Sequence, residues 1–286
     1  MNIQWFPGHM ARTIRILSEN LKLVDVVIEL LDARIPSSSK NPDIDKITNN
    51  KKKIIVLNKS DLADDALSVE WSRWYRKQGY ECIFVDSISG KGINELKVKL
   101  REMMKEKLER EKSKGRIFTP IRTMVVGVPN VGKSSFINRI SGRAIAATGD
   151  KPGVTRSKLW IKINREIELM DTPGILWPKF DDPVVGQKLA YTGAIKDDIM
   201  DTVELASSLL EFFKSNYPDR IIERYKLTPL ENKDGEEILL EAGKNRGCII
   251  SGGEINQSRI SAIILDEFRG GKLGKITLES PKNQQK

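Results

Sequence analysis

Cysteine and histidine are scarce: the 286-residue chain holds two of the first and one of the second. Cys82 and Cys248 are too few for a disulfide framework, and neither belongs to a metal-ligand spacing. No apolar run reaches the length of a membrane span, and no charged-then-apolar secretory pattern opens the chain. Internal repeats are lacking, and only the last five residues are of low complexity. These absences exclude a secreted disulfide scaffold and a helical membrane protein. The expectation is a reduced, cytoplasmic chain of one large or two modest domains, each able to bury a core.

What is present is charge, unevenly spread. Of the net +9, residues 178–286 contribute 16 basic and 18 acidic side chains, which leaves +11 on residues 1–177. A basic domain followed by a near-neutral one fits a polyanionic partner such as RNA, although a solvated Lys/Glu-rich helix surface has the same composition.

Three apolar runs, 24–31, 53–57 and 81–85, have strand length and end in Asp32-Ala33-Arg34, Asn58 and Asp86-Ser87. Glu70 to Gln78 reads as a helix carrying Trp71, Trp74 and Tyr75 on one face, and Asn94 to Lys114 as one long charged helix. Ile121–Val126 is a strand, 135–140 opens a helix, and 158–163 with 166–170 read as paired strands. Alternating strands and helices predict an α/β fold, mostly parallel with helices on both faces. The strand signal then fades, and 184–191, 200–214, 235–242 and 255–268 read as helices before an extended 275–278. The expected division is 1–177 and 178–286.

After the strand 121–126 comes Gly127-Val128-Pro129-Asn130-Val131-Gly132-Lys133-Ser134, a Gly-x-x-x-x-Gly-Lys-Ser loop opening a helix. Glycines let backbone N–H groups turn inward, and the helix N-terminus adds its positive end, so such a loop cradles phosphates. Lys133 is placed to reach β- and γ-phosphates, Ser134 to give a hydroxyl to Mg²⁺, and Ser135 to meet the α-phosphate. Asp171-Thr172-Pro173-Gly174 follows a strand, with Asp171 holding Mg²⁺ through water and the Gly174 N–H bonding the γ-phosphate. Between them, Thr155 in the Gly/Pro segment 150–156 is the candidate Mg²⁺-sensing threonine of a first switch.

Asn58-Lys59-Ser60-Asp61 closes an earlier strand, where ligands of open α/β sheets bind. The Asp61 carboxylate can accept from N1–H and the 2-amino group of guanine. Adenine offers neither donor there, so it would leave that carboxylate unpaired. Asn58 is expected at the other base edge, the Lys59 stem on the ring, and backbone N–H groups of Asp86-Ser87-Ile88 at the guanine oxygen. A similar string, Asn232-Lys233-Asp234-Gly235, has its aspartate one place early and no strand before it, and is read as a turn. The ligands are therefore GTP and GDP, with the base-reading segment about seventy residues ahead of the phosphate loop, the reverse of the usual order.

In this permuted order the chain resembles the circularly permuted GTPases of the translation-factor class. The opening Trp5-Phe6-Pro7-Gly8-His9-Met10 and Asp32-Ala33-Arg34-Ile35-Pro36 look like the bacterial ribosome biogenesis GTPase A family. That resemblance implies a P-loop GTPase domain followed by a helical C-terminal domain that contacts ribosomal RNA. It also implies GTP hydrolysis in late maturation of the large ribosomal subunit, with pre-ribosomal RNA and protein bound in the GTP state.

Ile175 follows Gly174, where many GTPases carry a water-orienting glutamine; an isoleucine cannot do that, so hydrolysis by the monomer alone should be slow and stimulated by the subunit. His9 is the candidate to complete the site when the partner docks. In related GTPases an asparagine placed like Asn130 helps hold K⁺, which makes Asn130 a candidate K⁺ ligand. Arg12, Arg15, Lys51, Lys52, Lys53 and the basic residues of 97–116 are candidates for phosphate-backbone contacts. The competing reading is a nucleotide-gated recruitment module with negligible hydrolysis.

Overall fold

The computed structural model describes residues 9–48, 51–116, 119–144, 160–176, 180 and 182–284, with side chains from Ile14 to Lys282. They divide into two compact units. Of the described residues, the first takes in those between 9 and 176 together with 277–284, and the second those between 180 and 276. The boundary expected near Trp177 falls outside the described residues. The chain's last ten residues belong with the nucleotide unit, not with the helical one.

The first unit runs α1 (His9–Asn20), β1 (Val26–Asp32), α2 (Pro42–Thr48), β2 (Lys52–Asn58), α3 (Asp65–Lys77) and β3 (Glu81–Val85). It continues with α4 (Ile93–Met103), α5 (Lys105–Ser113), β4 (Ile121–Val126), α6 (Lys133–Ser141), β5 (Trp160–Lys162) and β6 (Ile167–Met170). Its six strands form one sheet in the order β3-β2-β1-β4-β6-β5, parallel except for β5, which pairs antiparallel with β6. Every residue of β1 is buried, as expected of a strand covered on both faces. Register brings Asp32 beside Asn58 and Asn58 beside Val85, so the strands' carboxyl ends share one edge.

The long charged helix expected over 94–114 is two helices. At Met104 the backbone leaves the helix (φ −107°, ψ 9°) and its N–H bonds the Arg101 carbonyl at 3.1 Å. Met104 is 6% exposed, so burying it turns the chain at a point that charge periodicity hides. The tail after Ile276 is extended and anchored. Its Leu278 N–H donates to the Arg34 carbonyl at 2.8 Å, Thr277 Oγ1 accepts from Asp64 N at 3.0 Å, and the Glu279 carboxylate accepts from Ser37 N at 2.7 Å. The Trp71 indole N–H donates to the Glu279 carbonyl at 3.1 Å.

The second unit is built of α7 (Pro183–Tyr191), α8 (Thr202–Asn216), α9 (Pro218–Tyr225), α10 (Gly235–Asn245) and α11 (Gln257–Arg269). Leu205, Leu209, Leu210 and Phe213 of α8 are fully buried, with Phe213 and Phe268 of α11 stacked edge-on at 6.2 Å. Asp201 caps α8 through the Val203 and Glu204 amides. Asp234 and Glu237 form a reciprocal capping box on α10, so the rejected Asn-Lys-Asp-Gly string is a helix start.

Candidate functional site

The phosphate loop joins β4 to α6, and its two ends explain its shape. Gly132 has φ +95°, and a Cβ there would lie 2.5 Å from Asn58 Nδ2; only glycine fits. Lys133 follows at the helix start, its ammonium folded over the loop 3.3 Å from the Gly127 carbonyl and 3.1 Å from that of Val128. Burial lowers the Lys133 pKa to about 8, with Asp171 acting in the opposite direction. Asp171 follows β6; burial raises its carboxyl and Lys133 counters.

The segment after Asp171 is laced to the loop. Thr172 Oγ1 donates to the Val125 carbonyl at 2.6 Å, and the Ile175 N–H to the Gly127 carbonyl at 3.1 Å. A Cβ on Gly174 would sit 2.8 Å from Pro129 Cα and 3.0 Å from Lys133 Nζ, so the backbone passes directly against the loop. Ile175 is 1% exposed, its side chain packed in the core. Ser134 is half-buried and Ser135 exposed on the first turn of α6.

The base-reading segment closes on this loop from the other side. Asn58 Nδ2 donates to the Val131 carbonyl at 2.8 Å, and Lys59 Nζ to that of Asn130 at 2.7 Å. Lys59 and Asn130 both take left-handed backbone, with φ of 56° and 55°. Ser87 Oγ donates to Asn58 Oδ1 at 2.7 Å, and the Ser60 N–H to the Val85 carbonyl at 3.2 Å. Asp61 is exposed as a residue, but the partial covering of its carboxyl raises its pKa while its own N–H opposes. The Ile88 N–H, expected at the guanine oxygen, donates instead to Asp86 Oδ1 at 2.8 Å, so Asp86 shapes its own loop.

Two stretches far apart in the chain thus share one site, one edge of which suits phosphates and the other a base. The oxygen donors Ser134 and Asp171 fit a hard divalent cation. Among the described residues no three His, Cys, Asp or Glu side chains cluster as a metal site, so such an ion would complete its shell with phosphate oxygens and water. Thr155 lies outside the described residues, and so does the side chain of His9, whose backbone begins α1.

Residues 122–230 match the family model described as "50S ribosome-binding GTPase", which takes in the phosphate loop and Asp171 to Gly174 but not Asn58 to Asp61. Ribosome biogenesis GTPase A of Bacillus cereus is 48% identical over 98% of this chain and 95% of its own. The Bacillus pumilus protein of that name is 47% identical over 99% and 100%. The chain belongs to the ribosome biogenesis GTPase A family. The GDP-bound structure of TM YlqF superposes with TM-score 0.68 at 25% identity, covering 94% of this chain and all of that one. GNP-bound YlqF from T. maritima shares the fold at TM-score 0.64 and 24% identity, covering 94% and 97%. As a member of the family the chain is a P-loop GTPase with permuted motif order, which hydrolyses GTP to GDP and phosphate.

Asp32 and Arg34, part of the string that carries the family resemblance, form with Lys59 a charge pairing that no motif displays. Asp32, 2% exposed, accepts from Arg34 Nε at 2.9 Å, Arg34 Nη2 at 2.8 Å and the Arg34 N–H at 3.0 Å, and pairs with Lys59 Nζ at 3.1 Å. Burial alone would raise the Asp32 carboxyl, but Arg34 and Lys59 hold it well below the usual carboxylate range. Burial pushes Lys59 down, Asp32 counters it, and the like charge of Arg34 adds to the lowering. The signal was visible as an acid at a strand's carboxyl end, beside the strand carrying Asn58. Of the basic residues expected to face RNA, Lys53 is 6% exposed and paired with Glu29 at 3.3 Å and with Asp45, and is withdrawn from that role.

Proposed function

We propose that this GTPase acts in late assembly of the large ribosomal subunit, binding pre-ribosomal RNA and protein in its GTP state. The observation that supports a guanine switch most strongly is the closure of Asn58 and Lys59 onto the phosphate-loop carbonyls of Val131 and Asn130. The names of the Bacillus relatives support the ribosomal setting. Asp61 selects guanine; Asn58, Lys59 and Ser60 with Asp86 and Ser87 frame the base; Val131 through Ser135 with Asn130 hold the phosphates. Mg²⁺, which GTPases of this kind generally use, would be held by Ser134, by Thr155 and through water by Asp171, and would stabilise charge on the transferred phosphoryl group. Lys133 neutralises β- and γ-phosphate charge, and the Gly174 N–H reports whether the γ-phosphate is present.

Because Ile175 is buried and apolar, no side chain at that place orients the attacking water, and turnover of the free protein is slow. His9 is assigned the water-orienting role once a subunit docks, and Asn130 a share in a K⁺ site. The residues from 180 to 276 are assigned the contact with ribosomal RNA. Two measurements test the reading: co-sedimentation with large subunits under a GTP analogue, GDP and no nucleotide, and multiple-turnover GTPase assays with and without subunits. Subunit binding that ignores the nucleotide, or turnover that ignores subunits, refutes it. His9→Ala with unchanged subunit-stimulated turnover removes His9 from the mechanism.

A further inference from the structure

At the amino-terminal edge of the sheet, opposite the nucleotide site, a cleft of about 770 Å³ opens between the α4–α5 arm and the β5–β6 hairpin. Arg101, Lys112, Arg116 and Arg165 line it. With β4 six residues long, the cleft and the phosphate loop stand roughly 20 Å apart along the strand. A ligand there cannot be the nucleotide that the loop holds.

The lining is rich in donors. Lys112 and Arg165 are exposed and make no ion pair among the described residues. Arg101 pairs with Glu166 and Arg116 with Glu111, but both arginine side chains are about half or more exposed, at 47% and 66%. The Arg101–Glu166 pair, about half exposed on both sides, holds by about 0–1 kcal/mol, so its guanidinium exchanges carboxylate for phosphate at little cost, whereas Arg116 faces a buried Glu111 that Lys114 also pairs. Thr119 Oγ1 is buried at the cleft wall with no hydrogen-bond partner. Asn164 spends its Oδ1 on the Glu166 and Ile167 amides, both at 2.8 Å, which turns its NH₂ outward as another donor.

We propose that this cleft is a second binding site of the protein, spatially separate from the nucleotide site, one that takes the phosphodiester backbone of RNA. The proposal deepens the ribosomal reading and rests on it. Several cations along one open cleft suit a chain of phosphates, and the excess of +11 on residues 1–177 draws a polyanion toward this unit. Placed at the far edge of the sheet, the contact anchors the GTPase without entering the site where GTP is hydrolysed.

The test uses the full-length protein carrying Lys112→Glu and Arg165→Glu together, neither residue belonging to the nucleotide machinery. Binding of a labelled single-stranded rRNA fragment is followed by anisotropy across a salt series, beside GDP affinity and urea unfolding. Two lost phosphate contacts should flatten the log–log salt slope by about 1.4 and weaken binding roughly 25-fold at 0.1 M salt. GDP affinity and the unfolding midpoint should stay unchanged, and Lys112→Arg with Arg165→Lys should bind like wild type. Equal RNA binding by wild type and the Glu variant overturns the cleft and leaves the assembly reading standing. Subunit binding lost in the Glu variant with RNA binding intact reassigns the cleft to an acidic protein and overturns the RNA proposal. A wild-type protein that binds neither RNA nor subunits sinks the assembly reading itself.

Discussion

Replacing Asp32 by asparagine keeps the shape of the side chain and removes its charge, which makes it a sharp probe of how the base-reading segment is held. The carboxylate sits 2% exposed among three Arg34 donors and the Lys59 ammonium. Arg34 is itself 1% exposed, so the substitution strands a buried guanidinium. Breaking one partner of such a pair costs about 3–5 kcal/mol, and the amide oxygen still accepting one bond sets the expectation at about 3 kcal/mol. For a chain of this size that lowers Tm by roughly 6–12 °C. Freed of Asp32, Lys59 holds the Asn130 carbonyl less firmly, and GDP should bind roughly tenfold more weakly, about 1.4 kcal/mol. The pH dependence has a sign. The folded carboxyl titrates below its unfolded value of about 3.9, so its contribution is complete above that value and disappears as pH falls through the lower folded value. Asp32→Asn should therefore flatten the acid side of the stability curve. Urea unfolding and titration of a fluorescent GDP analogue, at neutral and acid pH, read all three effects. A stability loss under about 1 kcal/mol with unchanged GDP affinity would refute the reasoning, because it would mean the buried cluster carries no net attraction.

Asp61→Asn should reverse base preference: the amide oxygen can accept from N1–H while its NH₂ donates to the 2-oxo group of xanthine, but it cannot accept from both N1–H and the 2-amino group of guanine, and competition by XTP against GTP measures it. Gly174→Ala drives a Cβ to 2.8 Å from Pro129 Cα, so the segment must shift; discrimination of GTP analogue over GDP should collapse, while a preserved ratio would place γ-phosphate sensing elsewhere. Lys133 titrates at about 8 in the free protein and nucleotide phosphates favour its charged form, so binding near pH 8 should take up protons and weaken as pH rises further. Calorimetry in buffers of different ionisation enthalpy detects the uptake, and identical heats contradict it. Exchanging K⁺ for Na⁺ should slow hydrolysis if Asn130 shares a cation site, and equal rates leave it as a loop-shaping residue.

The sheet and the phosphate loop were legible because their chemistry is local. Val26 to Leu31 is apolar apart from Glu29 and has strand length, and the Gly127-to-Ser134 spacing is fixed by backbone geometry around a phosphate. What escaped depends on pairing across the fold. Met104 turns the chain to bury itself, a decision no charge pattern along α4 and α5 records. α9 is hidden because Pro218, which closes off one helix, also opens the next at its first position. Lys53 looks like its exposed neighbours until Glu29 on the adjacent strand is placed beside it. Asp32 and Asn58 lie far apart in sequence and side by side in register, so the buried charge cluster behind Lys59 emerged only with the sheet.

The last ten residues have a practical bearing. A single cut after residue 179 does not liberate a whole nucleotide unit, because Thr277, Leu278 and Glu279 supply partners for Asp64, Arg34, Ser37 and the Trp71 indole. A fragment ending there would expose or strand those groups at about 1–3 kcal/mol for each that stays buried. Anyone wishing to study catalysis without the helices should splice residues 277–286 back through a linker, and a bulky fusion at the carboxyl terminus should be weighed as an intrusion on nucleotide handling.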